Sequence, residues 1–348
     1  MASYHYKKHI LKFYFSAGTS RGVLHEKTSY FIIKSPDTKN TGIGECSLLP
    51  GLSIDDRPEF ESTLGKIILD LNAGQVPDRK LLAKYPAIRF GLEIAEMDFG
   101  NGGSRILFPS DFTQKNAGIP INGLVWMGDF DFMKKQLKEK IAAGFSCIKI
   151  KIGAIDFEKE LELIRLIRKE FSQGDIEIRV DANGAFSPEE ALEKLKRLSE
   201  LHLHSIEQPI RQGQWEKMAS LCKTTPLPIA LDEELIGIHD YLEKENLIKT
   251  IEPQFIILKP SLLGGFSASE EWIDLAEKQG TGWWVTSALE STIGLNAIAQ
   301  WAFTLGNPMP QGLGTGQLYT NNFDSPLIIK KGKLYYDIDK EWDISLIQ

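Results

Sequence analysis

The sequence predicts an α/β protein whose larger part is a (β/α)8 barrel. From about residue 119, short apolar strands alternate with amphipathic stretches of helical period. Successive strand ends lie 25 to 30 residues apart, which matches one strand, one helix and two loops per step. The predicted ends are Trp126, Lys151, Asp181, Glu207, Asp232, Lys259, Ser287 and Gly314. A doubly wound open sheet is the alternative, but eight even steps and the lack of a G-x-G-x-x-G motif favour the barrel.

The region before the barrel has a mixed pattern. Two strand-like runs, "ILKFYFSA" and "SYFIIK", are followed by the loop "GIGECSLLPGLS" and by helical patterns in "RPEFESTLGKIILDLN" and "AIRFGLEIAEMDFG". We therefore predict an α+β domain over residues 1–115 and the barrel over residues 116–320. The remaining residues, 321–348, contain "SPLIIKKGKLYYDID", which is typical of two strands joined by a Lys-Gly-Lys turn.

Composition excludes several classes of partner. A net charge of −7 without a basic cluster argues against nucleic acid, which needs grouped Lys and Arg. No stretch is apolar over the ~18 residues of a membrane span, and the first residues lack the apolar run of a signal peptide. Three widely spaced cysteines suit a reducing compartment. We expect a cytoplasmic protein that acts on a small-molecule substrate; the sequence carries no indication of its oligomeric state.

Three carboxylates follow three consecutive predicted strands. Asp181, Glu207 and Asp232 should therefore meet at the mouth of the barrel, where charged side chains can emerge from strands that are buried on both faces. Alone, they would repel one another strongly in a low-dielectric cleft. A hard divalent cation removes this repulsion, and oxygen ligands without Cys or His predict Mg2+, with Mn2+ as the alternative. The other interpretation is that each carboxylate caps the following helix.

Two lysines interrupt the apolar run "CIKIKIG". Because side chains alternate along a strand, Lys149 and Lys151 point the same way, while the isoleucines around them need a buried outer face. A solvated edge strand is the alternative. Lys151 and Lys259 lie on strands on either side of the three carboxylates. A neighbouring ammonium and a dication favour loss of the proton from Lys151, as a general base requires.

Three further polar residues accompany the predicted ligands. Arg179 and Asn183 alternate in phase with Asp181, so all three share one side of the strand. Glu233 alternates away from Asp232. We expect Asn183 and Glu233 to support the metal ligands and the lysines from behind.

The ordered motifs "KIKIG", "RVDANGAF", "IEQP", "ALDE" and "ILKP" resemble the enolase superfamily, in its muconate-lactonizing-type branch. The resemblance covers nearly the whole chain. It implies Mg2+ on the three carboxylates and proton abstraction by a lysine next to a metal-bound carboxylate. Lys151 would be the base and Lys259 the amine on the opposite face. Lys149 would assist Lys151, and Arg179 would position it.

Within that branch, "GIGECSLLPGLS", "SALESTIGL" and "GLGTGQLYTNN" resemble the dehydratases that form 2-succinylbenzoate for menaquinone synthesis. This implies a hydro-lyase that acts on 2-succinyl-6-hydroxy-2,4-cyclohexadiene-1-carboxylate. It also implies that residues 1–115 form a cap, that the C-terminal strands pack back on it, and that cap loops near residues 19–23 and 50–53 close over the mouth. The expected substrate contacts are Gly51, Leu52, Ser287, Ala288, Gly314 and Thr315.

Other functions remain open at this stage. A racemase of N-acylamino acids or a dipeptide epimerase also needs lysines on both faces, although "GLGTGQLY" lacks the paired aspartates expected of a dipeptide epimerase. Lys259 could instead form a Schiff base in a metal-free aldolase, but the clustered carboxylates argue against this. A barrel that only binds a ligand is the third alternative, and the presence of every expected lysine and carboxylate argues against it.

Overall fold

A computed structural model of the chain describes residues 2–19, 22–36 and 40–347. The N-terminal part is a cap with an antiparallel sheet in the order β1-β2-β3 and helices on one face. Its elements are β1 (Ser3–Thr19), β2 (Gly22–Ser35), β3 (Gly42–Ser47), α1 (Phe60–Asn72), α2 (Arg79–Ala83) and α3 (Pro86–Gly100). The two predicted strands lie inside the longer β1 and β2.

Strand β3 packs directly on helix α3, and glycines make this contact close. A Cβ added to Gly44 would lie 1.8 Å from the carbonyl oxygen of Gly91, and one added to Gly91 would lie 2.5 Å from Cys46 Sγ. The alternating residues Gly42, Gly44 and Cys46 therefore face α3, which leaves Glu45 and Ser47 on the opposite face. The "GIGECS" motif thus directs its polar side chains away from the cap helices.

The larger part of the chain is the predicted barrel. After α4 (Asp111–Gln114) and β4 (Ile119–Pro120), the described residues form a sheet of seven parallel strands in the order β11-β10-β9-β8-β7-β6-β5. Its strands and the helices between them are β5 (Gly123–Val125), α5 (Phe130–Ala142), β6 (Cys147–Lys151), α6 (Phe157–Glu170), β7 (Glu177–Asp181), α7 (Pro188–Ser199), β8 (Ser205–Glu207), α8 (Trp215–Thr224), β9 (Ile229–Leu231), α9 (Tyr241–Ile251), β10 (Phe255–Leu258), α10 (Pro260–Leu263), α11 (Phe266–Gln279), β11 (Gly282–Val285) and α12 (Thr292–Thr304). The last residues of β6, β7 and β8 are those that the spacing predicts.

Two residues occupy the place of the predicted eighth strand. Gly312 bridges Thr286 after β11, and Gln311 bridges Ile121 before β5, both in parallel. The Gln311 side chain also accepts a hydrogen bond of 2.7 Å from the Val285 amide. The surrounding sequence, "NPMPQGLGTG", is rich in Pro and Gly and so cannot sustain a longer ladder. The barrel therefore closes through a short contact rather than a full strand.

The C-terminal hairpin joins the barrel end of the molecule. It consists of β12 (Leu327–Lys330) and β13 (Lys333–Tyr336), and β13 pairs antiparallel with β4. This differs from the expectation that these strands pack back on the cap, because a strand pattern does not specify its partner. The segment after the hairpin does reach the cap sheet, where Trp342, Ile344 and Ile347 pack near Phe31 and Ile43.

One glutamate connects the cap sheet to the barrel. Glu45 on β3 accepts hydrogen bonds from the Ser291 amide (3.0 Å), the Ser291 hydroxyl (2.6 Å) and the Gly294 amide (3.0 Å). These groups lie at the start of α12, where a carboxylate satisfies free amides and the helix dipole. The cap is thus fixed to the barrel beside the segment that follows β11.

Among the described residues, no helix is both long and apolar enough to cross a membrane.

A second buried carboxylate gives the cap a pH dependence. Asp55 accepts a 2.8 Å hydrogen bond from the Ala87 amide in the first turn of α3, and burial raises the pKa of Asp55 from 3.8 to about 7. Because the folded pKa lies above the unfolded value, this group stabilises the fold fully below pH 4. The contribution is lost as the pH rises through about 7.

We expect Asp55→Asn, which is uncharged at every pH, to become more stable than the wild type as the pH rises from 4 to 7. The difference in free energy of unfolding should level off on the order of 1–3 kcal/mol in urea titrations. The exposed neighbour Asp56→Asn is the control and should stay within roughly 0.5 kcal/mol at all pH values. A pH-independent effect of Asp55→Asn would contradict the assignment.

Candidate active site

Strand register brings the predicted acidic and basic residues to one level. Lys151 pairs in register with Asp181 across β6 and β7, and Asp181 pairs with Glu207 across β7 and β8. Asp232 and Lys259 directly follow β9 and β10. The five residues come from five adjacent strands, so parallel pairing alone aligns them at the carboxyl edge of the sheet.

Ammonium groups lie between neighbouring carboxylates. Lys149 donates a hydrogen bond to Glu207, and its Nζ lies 2.9 Å from Asp181 Oδ2. Lys259 donates to Asp232, and its Nζ lies 3.8 Å from Glu207 Oε1. The five side chains in these contacts are buried, namely Lys149, Asp181, Glu207, Asp232 and Lys259. The barrel mouth thus contains a chain of alternating charges, and each buried charge compensates its neighbours.

Lys151 is held at the edge of this array. Its Nζ donates to Asp181 Oδ2 (3.1 Å) and to Asn183 Oδ1 (2.8 Å). The Asn183 side chain in turn donates to Glu233 Oε1 at 3.1 Å, and its backbone has a left-handed φ of 44°. Asn183 and Glu233 thus lie behind a lysine of the array, and their supporting role stays a prediction. The lysine that this chain of hydrogen bonds reaches is Lys151.

The charge pattern shifts the pKa values of the array. Burial alone raises the pKa of Asp181, but Lys149, Lys151 and Lys259 together hold it well below its usual value. Burial, with the negative charges of Asp181 and Asp232, raises the pKa of Glu207 to about 8. Burial lowers the pKa of Lys149 and Lys259, but the surrounding carboxylates raise both above the usual value. Of Asp181 and Glu207, Glu207 is thus the carboxylate whose negative charge is less compensated.

The three carboxylates fit a hard cation in their chemistry. In the described part of the chain, no three acidic, His or Cys side chains already surround a metal position, because the carboxylate oxygens here contact lysines. Glu207 Oε1 is nonetheless a buried oxygen without a hydrogen-bond partner. The donor set contains only oxygen atoms, which suits Mg2+. An ion held by these oxygens would compete with Lys149 and Lys259 for them.

Arg179 lies in the interior of the barrel. Its guanidinium donates to Glu177 (2.7 Å) and to the Pro310 carbonyl (2.9 Å), and it lies 4.2 Å from the ring centre of Trp284. Arg179 is in register with Lys149, two positions before Asp181 on its own strand. These contacts pack Arg179 in the barrel interior, and its expected role in positioning Lys151 stays a prediction.

A pocket opens above the array, between cap and barrel. Three lysines and Asp181 form its floor, and the rest of its wall is mainly apolar. Its lining residues are Leu24, Leu49, Pro50, Leu52, Asn122, Leu124, Trp126, Lys149, Lys151, Asp181, Asn183, Lys259, Thr286, Ser287, Ala288, Leu289, Gly312, Gly314 and Thr315. The wall thus combines residues of the cap with residues that follow the barrel strands.

Most of the expected substrate contacts line this pocket. Gly51 is the exception: with a φ of 75° it forms the turn that presents Pro50 and Leu52. Of the predicted cap loop at 19–23, residues 20 and 21 lie outside the described residues. Sequence reasoning did not single out Leu24, Leu49, Leu124 or Leu289. In the sequence, an apolar residue that lines a pocket cannot be distinguished from one that packs in the core.

Fold and site together define a capped barrel enzyme with lysines and carboxylates at its mouth. Residues 133–337 match the family model for the enolase C-terminal domain-like family. The chain is also 48% identical over 360 residues to o-succinylbenzoate synthase from Desulfotalea psychrophila, covering 94% of this chain and 97% of that protein. The chain belongs to the enolase superfamily, and within it the chain is similar to o-succinylbenzoate synthase over nearly its full length.

Two solved structures have a similar fold. MenC from Desulfotalea psychrophila LSv54 superposes with a TM-score of 0.85 at 44% identity, covering 96% of this chain and 99% of that one. The L-Ala-D/L-Glu epimerase from Bacillus subtilis superposes with a TM-score of 0.81 at 18% identity, covering 96% and 95%. The predicted capped barrel is confirmed by these matches. The second match concerns the fold alone.

We expect Lys149→Met to destabilise the metal-free protein by about 3–5 kcal/mol, because it leaves Asp181 and Glu207 buried without their shared ammonium. Adding Asp181→Asn should restore part of this loss, because it removes the negative charge that Lys149 compensates. Urea unfolding of the two single variants and the double variant measures the coupling. The exposed pair of Lys115 and Asp111 is the control, since Lys115→Met should change stability by at most ~1 kcal/mol. Additive effects of the two site substitutions would contradict the alternating array.

Proposed function

We propose that this chain is an o-succinylbenzoate synthase, a hydro-lyase of menaquinone biosynthesis. It converts 2-succinyl-6-hydroxy-2,4-cyclohexadiene-1-carboxylate into 2-succinylbenzoate and water. The observation that carries the proposal is the 48% identity to a protein of that name across 94% of the chain. The described site supports the same chemistry, since it has a lysine base position, a second amine and an anion-binding floor.

The pocket favours an anionic substrate. Three of its lining side chains are lysines, and Asp181 is the only acidic one among the described lining residues. A dipeptide carries an α-ammonium group that needs an acidic partner in a buried site. The dicarboxylate proposed here has no such group, and its ring and methylene groups suit the leucine-rich wall.

Lys151 is the proposed base. As a neutral amine it takes the proton from the ring carbon next to the carboxylate. The electron pair of that C–H bond then forms the ring double bond as the hydroxyl group leaves. The ammonium of Lys151 returns a proton to the departing hydroxyl, so one water molecule is released and the ring becomes aromatic. Asp181 and Asn183 hold the Lys151 Nζ in place for both transfers.

Lys259 acts from the other flank of the array. It keeps its proton, because the neighbouring carboxylates raise its pKa. Its positive charge therefore stabilises the negative charge that develops on the substrate carboxylate during proton removal. We propose that Asp181, Glu207 and Asp232 hold Mg2+, which when bound supplies a Lewis acid for the same carboxylate. Mn2+ has the same preference for oxygen ligands.

A racemase of N-succinylamino acids is the second candidate function. It is favoured by one observation: Lys151 and Lys259 lie on opposite flanks of the carboxylates, as proton transfer on two faces requires. An ultraviolet assay with the cyclohexadiene substrate and Mg2+, run beside deuterium exchange into N-succinylamino acids, separates the two. Fast aromatisation with slow exchange supports the synthase, and the reverse result supports the racemase.

We expect Lys151→Ala to lower the dehydration rate by about 10³-fold or more, because general-base catalysis is lost. Lys151→Arg is the matched control: it keeps the positive charge but cannot act as a base at neutral pH, so it should be equally inactive. Circular dichroism and melting temperature should show that both variants remain folded. Turnover by Lys151→Arg near the wild-type rate would refute the base assignment.

We expect Mg2+ to raise the melting temperature of EDTA-treated protein, because an ion that binds only the folded state stabilises it. Asp181→Asn should remove most of this shift. Asp55→Asn removes a buried carboxylate from the cap and serves as the control, which should keep the full shift. Equal shifts in the two variants would exclude Asp181 as a ligand.

A further inference from the structure

The segment that follows β11 contains one residue in a strained conformation. Leu289 has a φ of 61°, in the left-handed region that a branched apolar residue rarely adopts. Its side chain lines the pocket, so the strain is located at the site. Such a conformation persists only where the surrounding contacts impose it.

Two donors hold the Leu289 carbonyl. Lys27 Nζ donates to this oxygen at 2.9 Å, and the Tyr319 hydroxyl donates to it at 2.6 Å. The Leu289 amide donates to Ser287 Oγ at 3.0 Å. The backbone of Leu289 is therefore fixed on both sides, once by the barrel and once by the cap strand β2.

Lys27 has a second contact, on the cap. Its ammonium also donates to the hydroxyl of Ser47, the last residue of β3. The loop that follows carries Leu49 and Leu52 into the pocket. Lys27 is 2% exposed, so its amine is available only to these internal partners. Burial lowers the pKa of Lys27, and the nearby carboxylates of Glu45 and Glu290 offset part of this effect.

The wall that these contacts hold is one packed unit. Leu24 and Leu49 from the cap, with Leu124, Trp126 and Leu289 from the barrel, belong to a single apolar cluster and also line the pocket. The width of this wall depends on the distance between the two domains. Lys27 connects them directly, because one of its hydrogen bonds goes to each side.

We propose that Lys27 is a positioning residue that sets substrate selectivity. It fixes Leu289 against the loop after β3, and so sets the shape of the apolar wall that receives the part of the substrate that does not react. Lys27 does not line the pocket and takes no part in proton transfer. The identity of the substrate depends on the proposed function, whereas the geometry of the wall does not.

The test compares Lys27→Met, which keeps the chain length and loses the donors, with Lys27→Arg, which keeps donors and charge. We expect Lys27→Met to raise KM for the cyclohexadiene substrate about tenfold while kcat changes less than about threefold. Lys27→Arg should restore KM to within about threefold of the wild type. Loss of kcat with unchanged KM, or no rescue by Lys27→Arg, would overturn the proposal.

A second readout does not depend on turnover. Acrylamide quenching of Trp126 is obtained for each variant by subtracting its Trp126→Phe counterpart, and it reports how far the wall opens. Lys27→Met should increase this quenching and Lys27→Arg should not; unchanged quenching overturns the proposal. If the wild type fails to turn over the cyclohexadiene substrate, the synthase function is excluded, and the quenching result alone decides the role of Lys27.

Tyr319→Phe removes the other donor to Leu289 and covers the case in which Lys27→Met fails to fold. It should raise KM and quenching in the same direction but by less, because Lys27 remains. A loss of kcat with unchanged KM, or an effect larger than that of Lys27→Met, would overturn the proposal, because the wall would then not depend on Lys27.

Discussion

Ammonium and carboxylate groups from five adjacent strands alternate in space, and the site depends on this interaction. Each of these charges is buried, and a buried charge without a partner is strongly unfavourable. The partners meet only because β6 to β10 are parallel and in register, so a shift of one residue in any strand would turn its charge toward the helices. The electrostatics of the mouth and the topology of the barrel therefore stabilise each other.

The cap is hydrogen-bonded to the same end of the barrel. Glycines on one face of β3 allow close packing on α3, and this directs Glu45 and Ser47 toward the barrel. Glu45 then holds the start of α12, and Ser47 holds Lys27. A cap strand thus reaches the loop after β11 through polar contacts at two points. The pocket wall between the two domains inherits its shape from these contacts.

The sequence predicts the barrel and its charged edge well, because strand spacing and side-chain alternation are local properties. Lys151, Asp181 and Glu207 lie at one level, as the spacing requires. The sequence predicts less well those features that depend on contacts between residues far apart in the chain. The hairpin partner β4, the depth of Arg179 in the barrel, and the closure at Gln311 are set by packing that no local pattern contains. Lys27 is a further case, since a lysine within a polar stretch of β2 gives no signal of burial.

The array itself does not determine which substrate is used. Amines on both flanks of a carboxylate cluster support proton removal from either face, whether the next step is loss of water or return of a proton. Discrimination between such reactions has to come from groups that contact the rest of the substrate. In this chain the groups available for such contacts are the leucines and Trp126 of the pocket wall, contributed jointly by cap and barrel. We therefore propose that the strands carry the chemistry and that the contacts between the two domains determine selectivity.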